Sequence, residues 1–154
     1  MSGSRIEEIR AILDELKLDA FYITHIPNIR YLTGFSGSAA TVLISRKKNW
    51  FFTDFRYKEQ SAEQVKGFEI IINYLADEEL KKVIAKEGFK GFAFESTHLT
   101  VHQLDTLEKT FSGVKFTAVP ERIEKLTMIK TPAELVKMQK AIDITDDVFA
   151  KLLD

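Results

Sequence analysis

The sequence predicts an α/β fold in which a mixed, partly antiparallel sheet of about six strands carries helices on both faces. Three observations lead to this prediction. Short apolar runs typical of strands alternate with amphipathic segments of helical spacing. Only a polar turn separates the runs at 40–44 and 50–53, which indicates a hairpin and hence an antiparallel pair. A long amphipathic segment ends the sequence, and we expect it to form a long helix.

Six segments have the composition of strands. Aromatic and β-branched residues dominate them, and polar or glycine-containing turns bound them. We expect strands at residues 20–24, 40–44, 50–53, 69–73, 91–95 and 114–119.

Capping signals mark the helices between these strands. Ser4 with Glu7, and Thr100 with Gln103, have the spacing of capping boxes. The next expected helices are a short one opened by Pro27, one capped by Asp54 that runs from about Arg56 to Lys66, and one from about Asp77 that ends at Gly88.

The final segment begins with Thr131–Pro132–Ala133–Glu134, which combines an N-cap, a proline at the first helical position and a capping-box glutamate. Its apolar residues lie close to one stripe of a helix, and the pattern is still running at Asp154. We therefore expect this last helix to pack on something absent from these 154 residues. The stripe consists of Leu135, Met138, Ile142, Phe149 and Leu152.

The composition indicates a soluble, cytoplasmic, globular protein of 154 residues, with 45% hydrophobic and 29% charged residues. A net charge of -1 gives no electrostatic reason to expect nucleic acid or an acidic membrane as a partner. There is no cysteine, which excludes disulfide and thiolate chemistry. No apolar run approaches the roughly 20 residues of a membrane span.

The segment Gly34–Ser38 resembles the nucleophile elbow of serine hydrolases, except that Ser38 replaces the last glycine. An elbow also requires a long helix after the serine, whereas a strand is expected here. A loop that glycine permits is therefore favoured over a nucleophilic Ser36.

Three histidines are candidates for a binding site. His98 and His102 are four residues apart, with Glu95 nearby, and on one helix face this spacing can bind zinc. Thr100 is the better helix start, however, so we favour two surface histidines. His25 follows the first strand, where a hydrogen-bonded structural role is favoured over contact with a ligand.

Asp54, Arg56 and Tyr57 stand together at a strand-to-helix turn. Asp54 can cap the helix and pair with Arg56, and this structural interpretation is favoured. The alternative is that Arg56 binds a carboxylate beside a cleft.

Four segments, in this order and spacing, resemble the N-terminal domain of the Xaa-Pro peptidases, namely the prolidases and aminopeptidases P that are related to creatinase. The segments are IPNIRYLTGFSGS, FFTDFRYKEQSAEQV, GFAFESTHLTVHQLDTL and IEKLTMIKTPAELVKMQKAIDITDDVF. The resemblance covers the chain from about Arg5 onwards.

The resemblance implies an N-terminal domain over residues 1–130 and a long linker helix over 131–154 that leads to a catalytic domain. That domain would hold two divalent metal ions (manganese, cobalt or zinc) and cut the bond before proline in peptide substrates. The resemblance implies no catalytic residue and no metal ligand in this chain, and it implies a homodimer. By position, Phe35, Ser36, Gly37, Ser38 and Ala39 would form a loop near the neighbouring subunit's active site and shape the substrate pocket. The alternative function is a stand-alone peptide- or protein-binding module of the same fold.

Overall fold

A computed structural model of the chain describes residues 2–153, without the side chains of residues 2–4, 76 and 153. Its strands are β1 (Ala20–Ile23), β2 (Thr41–Ser45), β3 (Asn49–Thr53), β4 (Glu69–Ile72), β5 (Gly91–Glu95) and β6 (Lys115–Val119). Its helices are α1 (Ser2–Leu16), α2 (Ile26–Thr33), α3 (Lys58–Gln64), α4 (Ala76–Glu87), α5 (Val101–Thr110), α6 (Arg122–Met128) and α7 (Pro132–Leu153).

The six strands form one sheet in the order β4-β3-β2-β1-β5-β6. Strand β2 is antiparallel to both of its neighbours, while the pairs β1–β5, β3–β4 and β5–β6 are parallel. The turn at residues 46–48 joins β2 and β3 as the predicted hairpin. The expected mixed sheet of about six strands and the long final helix are therefore confirmed.

The four central strands of the sheet are buried on both faces because helices cover each side. On one face, Tyr22 and Phe92 belong to a cluster completed by Leu80 of α4 and Leu107 of α5. Side chains alternate along a strand, so Phe21, which has no exposed surface, points to the opposite face. Helix α1 packs on β1 and β2 and supplies fully buried apolar side chains from its inner surface.

The helix predicted at residues 56–66 is wrong in its first turn and in its end. Residues Phe55–Tyr57 form a separate 3-10 helix, because the Tyr57 N–H donates to the Asp54 carbonyl three residues back. Helix α3 then runs only to Gln64, since the buried Val65 is extended, with φ -91° and ψ 117°. Gly67, the expected end, lies beyond it.

Helix α6 was not predicted from the sequence. It has only seven residues and follows Pro120 closely, so its apolar positions form no extended periodicity. Glu121, just before it, has a φ of 54° and separates it from β6.

Several predicted caps are present. Thr100 and Gln103 form both hydrogen bonds of a capping box, and Gly88 ends α4 in the left-handed conformation, with φ 73°. Thr131 and Glu134 exchange the same pair of bonds at the start of α7. The capping box predicted from Ser4 and Glu7 depends on the Ser4 side chain, which lies outside the described residues.

The chain divides into two compact units, Met1–Ile123 and Glu124–Asp154. The second unit consists mainly of α7, whose apolar stripe is exposed along its length: Leu135, Met138, Ile142, Phe149 and Leu152 are each 47–77% exposed. Within residues 2–153, no helix combines the length and the apolar character that crossing a bilayer requires.

Candidate functional site

Most candidate residues lie at one edge of the sheet. The five mutually parallel strands end there, so His25 after β1 and Asp54 after β3 reach the same edge. Strand β2 runs in the opposite direction and begins at this edge, two residues after Ala39. Ligands of open α/β sheets bind outside the carboxyl ends of the strands, and this edge is therefore the candidate site.

The loop of residues 35–39 is anchored by two buried members. Phe35 has no exposed surface, and its ring meets the rings of Phe51 and Tyr57 edge-on, at centroid distances of 4.9 and 5.4 Å. Gly37 is buried against the same rings. A Cβ atom there would lie 2.2 Å from Phe35 Cζ and 2.8 Å from Tyr57 Cδ1, so only glycine fits without a shift.

Ser36 is exposed, and side-chain amides hold it. Its Oγ accepts hydrogen bonds from Gln60 Nε2 at 2.8 Å and Gln64 Nε2 at 3.0 Å. Its N–H donates to Gln64 Oε1 at 2.9 Å, and Arg30 Nη2 donates to its carbonyl at 3.0 Å. An amide cannot take a proton as a general base, so these contacts support a structural serine and not a nucleophile.

Ser38 and Ala39 are tied to the segment that follows β3. Ser38 Oγ and Tyr57 Oη share a hydrogen bond of 2.7 Å, and Thr53 Oγ1 donates to the Ala39 carbonyl at 2.6 Å. The hydrogen bonds from Ser38 lower the pKa of the Tyr57 phenol. Both ends of the loop are thus fixed by side chains distant in sequence.

A cleft of about 350 Å³ opens beside this loop, and we call it the loop cleft. Its lining combines polar side chains with apolar ones such as Ile26 and Phe52. The ring of Tyr74 also lines it, is 69% exposed and packs against Phe55 at a centroid distance of 5.1 Å. The lining residues include Thr24, Ser38, Ala39, Thr53, Asp54 and Tyr74. Of the candidates, Ser38, Ala39 and Asp54 therefore come together, while Phe35 lies in the interior.

Asp54 and Arg56 form a bidentate ion pair. Arg56 Nε and Nη2 donate to the two Asp54 oxygens at 2.9 and 2.8 Å, and Asp54 also accepts from the Arg56 N–H at 3.0 Å. The pairing holds the pKa of Asp54 below its ordinary value and raises that of Arg56. A carboxylate ligand would have to compete with Asp54 for Arg56.

Glu95 is a buried carboxylate at the end of β5, and it is only 3% exposed. Its Oε2 accepts from the N–H groups of Thr24 and His25 at 2.8 and 2.9 Å, and its Oε1 accepts from Asn28 Nδ2 at 2.8 Å. Burial raises the pKa of Glu95, and the three donors oppose this effect. Glu95 thereby fastens β5 to the start of α2.

Sequence reasoning considered Glu95 only as a neighbour of two histidines. The available signal was its position directly after the apolar run Gly91–Phe94, where a carboxylate that ends a buried strand needs donors. The hydrogen bonds from the Gln60 and Gln64 amides to Ser36 gave no such signal, since two glutamines four residues apart on a helix are ordinary.

His98, His102 and Glu95 are not arranged as the zinc pattern requires. Within the described residues, the ligand atoms of Glu95, His98 and His102 do not gather within 4.8 Å of one another. The His25 ring instead packs on that of His98, with centroids 4.4 Å apart. Its Nδ1 is buried and has no hydrogen-bond partner among these residues. His98 and His102 line a second cleft of about 460 Å³, together with Asp77.

The sequence model of one protein family, the Creatinase/Prolidase N-terminal domain, matches residues 5–129 of this chain. The chain belongs to this family. The resemblance drawn from the four sequence segments is therefore confirmed, and the sheet described above is the family fold.

Individual relatives extend this likeness. YqhT, an uncharacterized peptidase of Bacillus subtilis (strain 168), is 37% identical over 155 residues, which cover 97% of this chain and 42% of YqhT. The Xaa-Pro dipeptidase from Bacillus anthracis superposes with a TM-score of 0.91 at 32% identity, over 99% of this chain and 43% of that chain.

A third relative has been solved as a domain. The N-terminal domain of the cytoplasmic peptidase PepQ from Mycobacterium tuberculosis H37Rv gives a TM-score of 0.73 at 30% identity, over 80% of this chain and 98% of that chain. This chain spans less than half the length of the curated relatives it matches. It has the size of one domain of those larger peptidases.

Proposed function

We propose that this chain is the non-catalytic N-terminal domain of a metal-dependent Xaa-Pro peptidase, an Xaa-Pro dipeptidase or an aminopeptidase P. The parent enzyme would hydrolyse the bond before proline, and the 154-residue chain by itself would be inactive. The observation that carries the proposal is the coverage. The family domain accounts for residues 5–129, while a relative such as YqhT is more than twice as long as the part matched.

The metal ions would belong to the remainder of the enzyme. Two divalent ions of manganese, cobalt or zinc would supply an activated water for attack on the peptide bond. The residues of this chain would contribute binding and shape, because polar groups that line the loop cleft, such as Ser38, Thr53 and Asp54, already have hydrogen-bond partners within the chain. The cytoplasm is the proposed location, in line with the cytoplasmic peptidase PepQ.

The loop of residues 35–39 would form one wall of the substrate pocket in a homodimer. Its exposed members, Ser36 and Ser38, are small, uncharged and held by hydrogen bonds. Such a surface restricts the shape of a peptide without adding a strong charge of its own. The domain would also contribute contacts between the two subunits.

A stand-alone peptide- or protein-binding module is the second candidate. The observation that favours it is the exposed apolar stripe on α7, which a partner could cover. The two functions differ in whether the encoding reading frame continues past Asp154 into a domain with metal ligands.

The product of the complete reading frame and the 154-residue chain should be purified in parallel. Each should be assayed for hydrolysis of Xaa-Pro dipeptides and of longer Xaa-Pro peptides, with added Mn²⁺, Co²⁺ or Zn²⁺ and with a chelator. We expect metal-dependent cleavage by the complete product only. Cleavage by the 154-residue chain would refute the division of labour, and a complete product without Xaa-Pro hydrolysis would refute the peptidase function.

A further inference from the structure

We propose that Tyr57 is the positioning residue of the 35–39 loop and holds the exposed Ser38 in one arrangement towards the peptide substrate. This inference rests on the proposed function, because it names the residue that holds one wall of the proposed substrate pocket in place. Tyr57 itself lies outside the loop, at the end of the 3-10 helix that follows β3.

The first contact is made by the Tyr57 hydroxyl. It shares a hydrogen bond of 2.7 Å with Ser38 Oγ, a residue 19 positions away in sequence. The Ser38 side chain is exposed, so without this bond its hydroxyl would rotate freely in water. The bond therefore orients the one loop hydroxyl that lines the loop cleft.

The second contact is made by the Tyr57 ring. It meets the buried Phe35 ring edge-on at 83°, and it lies over Gly37 so closely that a Cβ atom would come within 2.8 Å of Cδ1. The ring thus prevents the backbone at Gly37 from moving towards the interior. The hydroxyl and the ring act on consecutive residues, and together they restrict the loop from one side.

The opposite side of the loop is restricted independently. Gln60 and Gln64 hold Ser36 through its hydroxyl and its N–H. Removing only the Tyr57 hydroxyl should therefore loosen residues 37 and 38 while residue 36 stays protected. This local pattern separates a positioning role from a general loss of stability.

The first measurement is amide hydrogen exchange by NMR on the 154-residue chain. Tyr57→Phe keeps the ring and removes the hydroxyl's bonds to the Ser38 side chain and backbone. Exchange at residues 37 and 38 should therefore become at least about tenfold faster, the effect expected for the loss of one hydrogen bond. Tyr74→Phe is the matched control. The Tyr74 ring packs on Phe55 outside the loop, so removing the Tyr74 hydroxyl should leave the exchange rates of residues 37 and 38 unchanged. Equal rates in Tyr57→Phe and the wild type would overturn the inference.

The second measurement is the steady-state kinetics of the complete product on an Xaa-Pro peptide. Tyr57→Phe and Ser38→Ala remove the same side-chain hydrogen bond from its two ends, and Tyr57→Phe also removes the bond to the Ser38 backbone. Each should raise KM about three- to tenfold with little change in kcat, and the double variant should do no more than Tyr57→Phe alone. Ser38→Thr, which keeps the hydroxyl, should restore most of the affinity.

The two measurements fail in different ways. Faster exchange with an unchanged KM would overturn the assignment of the loop to the substrate pocket. A wild-type complete product that does not cleave Xaa-Pro peptides would overturn the proposed function itself, and the exchange rates would still decide whether Tyr57 orders the loop.

Discussion

The side-chain amide of Asn28 donates to the carboxylate of Glu95 at 2.8 Å, although the two residues are 67 positions apart in sequence. Both are buried, and the second carboxylate oxygen accepts hydrogen bonds from the N–H groups of Thr24 and His25, just before α2. One charged side chain thus connects β5, the end of β1 and the helix that leads into the candidate loop.

We expect Glu95→Ala to lower the free energy of unfolding by about 2–4 kcal/mol, because buried donors lose their acceptor. Glu95→Gln should cost less, about 1–2 kcal/mol, since its carbonyl can still accept from the N–H groups of Thr24 and His25. Urea denaturation of the chain measures both values. Glu108→Gln, at an exposed position of α5, is the control and should change stability by less than about 0.5 kcal/mol. Equal stabilities for Glu95→Ala and this control would contradict the structural role.

The stability should also depend on pH through Glu95. Burial raises the pKa of Glu95 above its ordinary value of 4.5. The native state therefore keeps the proton of the Glu95 carboxyl over a pH range in which the unfolded chain has already lost it. Raising the pH through that range must therefore lower the free energy of unfolding.

Glu95→Gln has no titrating carboxyl at this position, so it serves as the reference for the wild type. The difference in unfolding free energy, wild type minus Glu95→Gln, should decrease as the pH rises above 4.5 and become constant once Glu95 is ionised in the native state. Urea titrations at a series of pH values measure it. A difference that increases with pH would mean that the three donors outweigh burial and that the pKa is lowered.

Gly37 should not accept a side chain. Gly37→Ala would place a Cβ atom 2.2 Å from Phe35 Cζ, and relieving such overpacking costs about 1–3 kcal/mol. Phe35→Leu makes room at the same place, so the double variant should be more stable than the sum of the two single losses predicts. Thermal and urea unfolding of the wild type, the two single variants and the double variant give the free energies for this double-mutant cycle. Strict additivity would show that Gly37 is required for a reason other than this contact.

Thr100→Ala should shorten or fray α5. It removes the acceptor for the Gln103 N–H, and the loss of an N-cap costs about 1 kcal/mol. Thr106→Ala is the matched control on the same helix, because its hydroxyl only bonds back to the His102 carbonyl, and alanine is the better interior residue. Urea denaturation should show a loss for the first variant and none for the second. Equal losses would argue against the cap.

The stripe on α7 should cause self-association of the chain at high concentration. Ile142 and Phe149 are 50% and 62% exposed and lie two turns apart on one side of the helix. Replacing both by lysine should reduce the mass that light scattering reports at high concentration. Lysines at Gln139 and Thr145, which are polar and exposed, add the same charge and should leave association unchanged. A monomeric wild type at all concentrations would contradict the prediction.

Local patterns were sufficient to predict most elements of the fold. Alternating apolar runs identified all six strands, and caps such as Thr100 with Gln103 located helix starts, because these signals depend on neighbouring residues alone. The 3-10 helix after Asp54 and the short α6 were missed. Competing hydrogen-bond patterns of similar energy, and helices too short for periodicity, leave no distinct local signal.

The sequence by itself determined the fold class, the family and the position of the candidate loop, since these follow from the order and spacing of residues along the chain. Only the tertiary structure decided which side chains meet there. It placed Phe35 in the core and Ser38 against Tyr57. It also showed that Glu95 accepts hydrogen bonds from the backbone just before α2 and does not join His98 and His102 in a metal site. The physical reason is that hydrogen bonds and ring contacts between distant segments depend on sheet order, which no local pattern encodes.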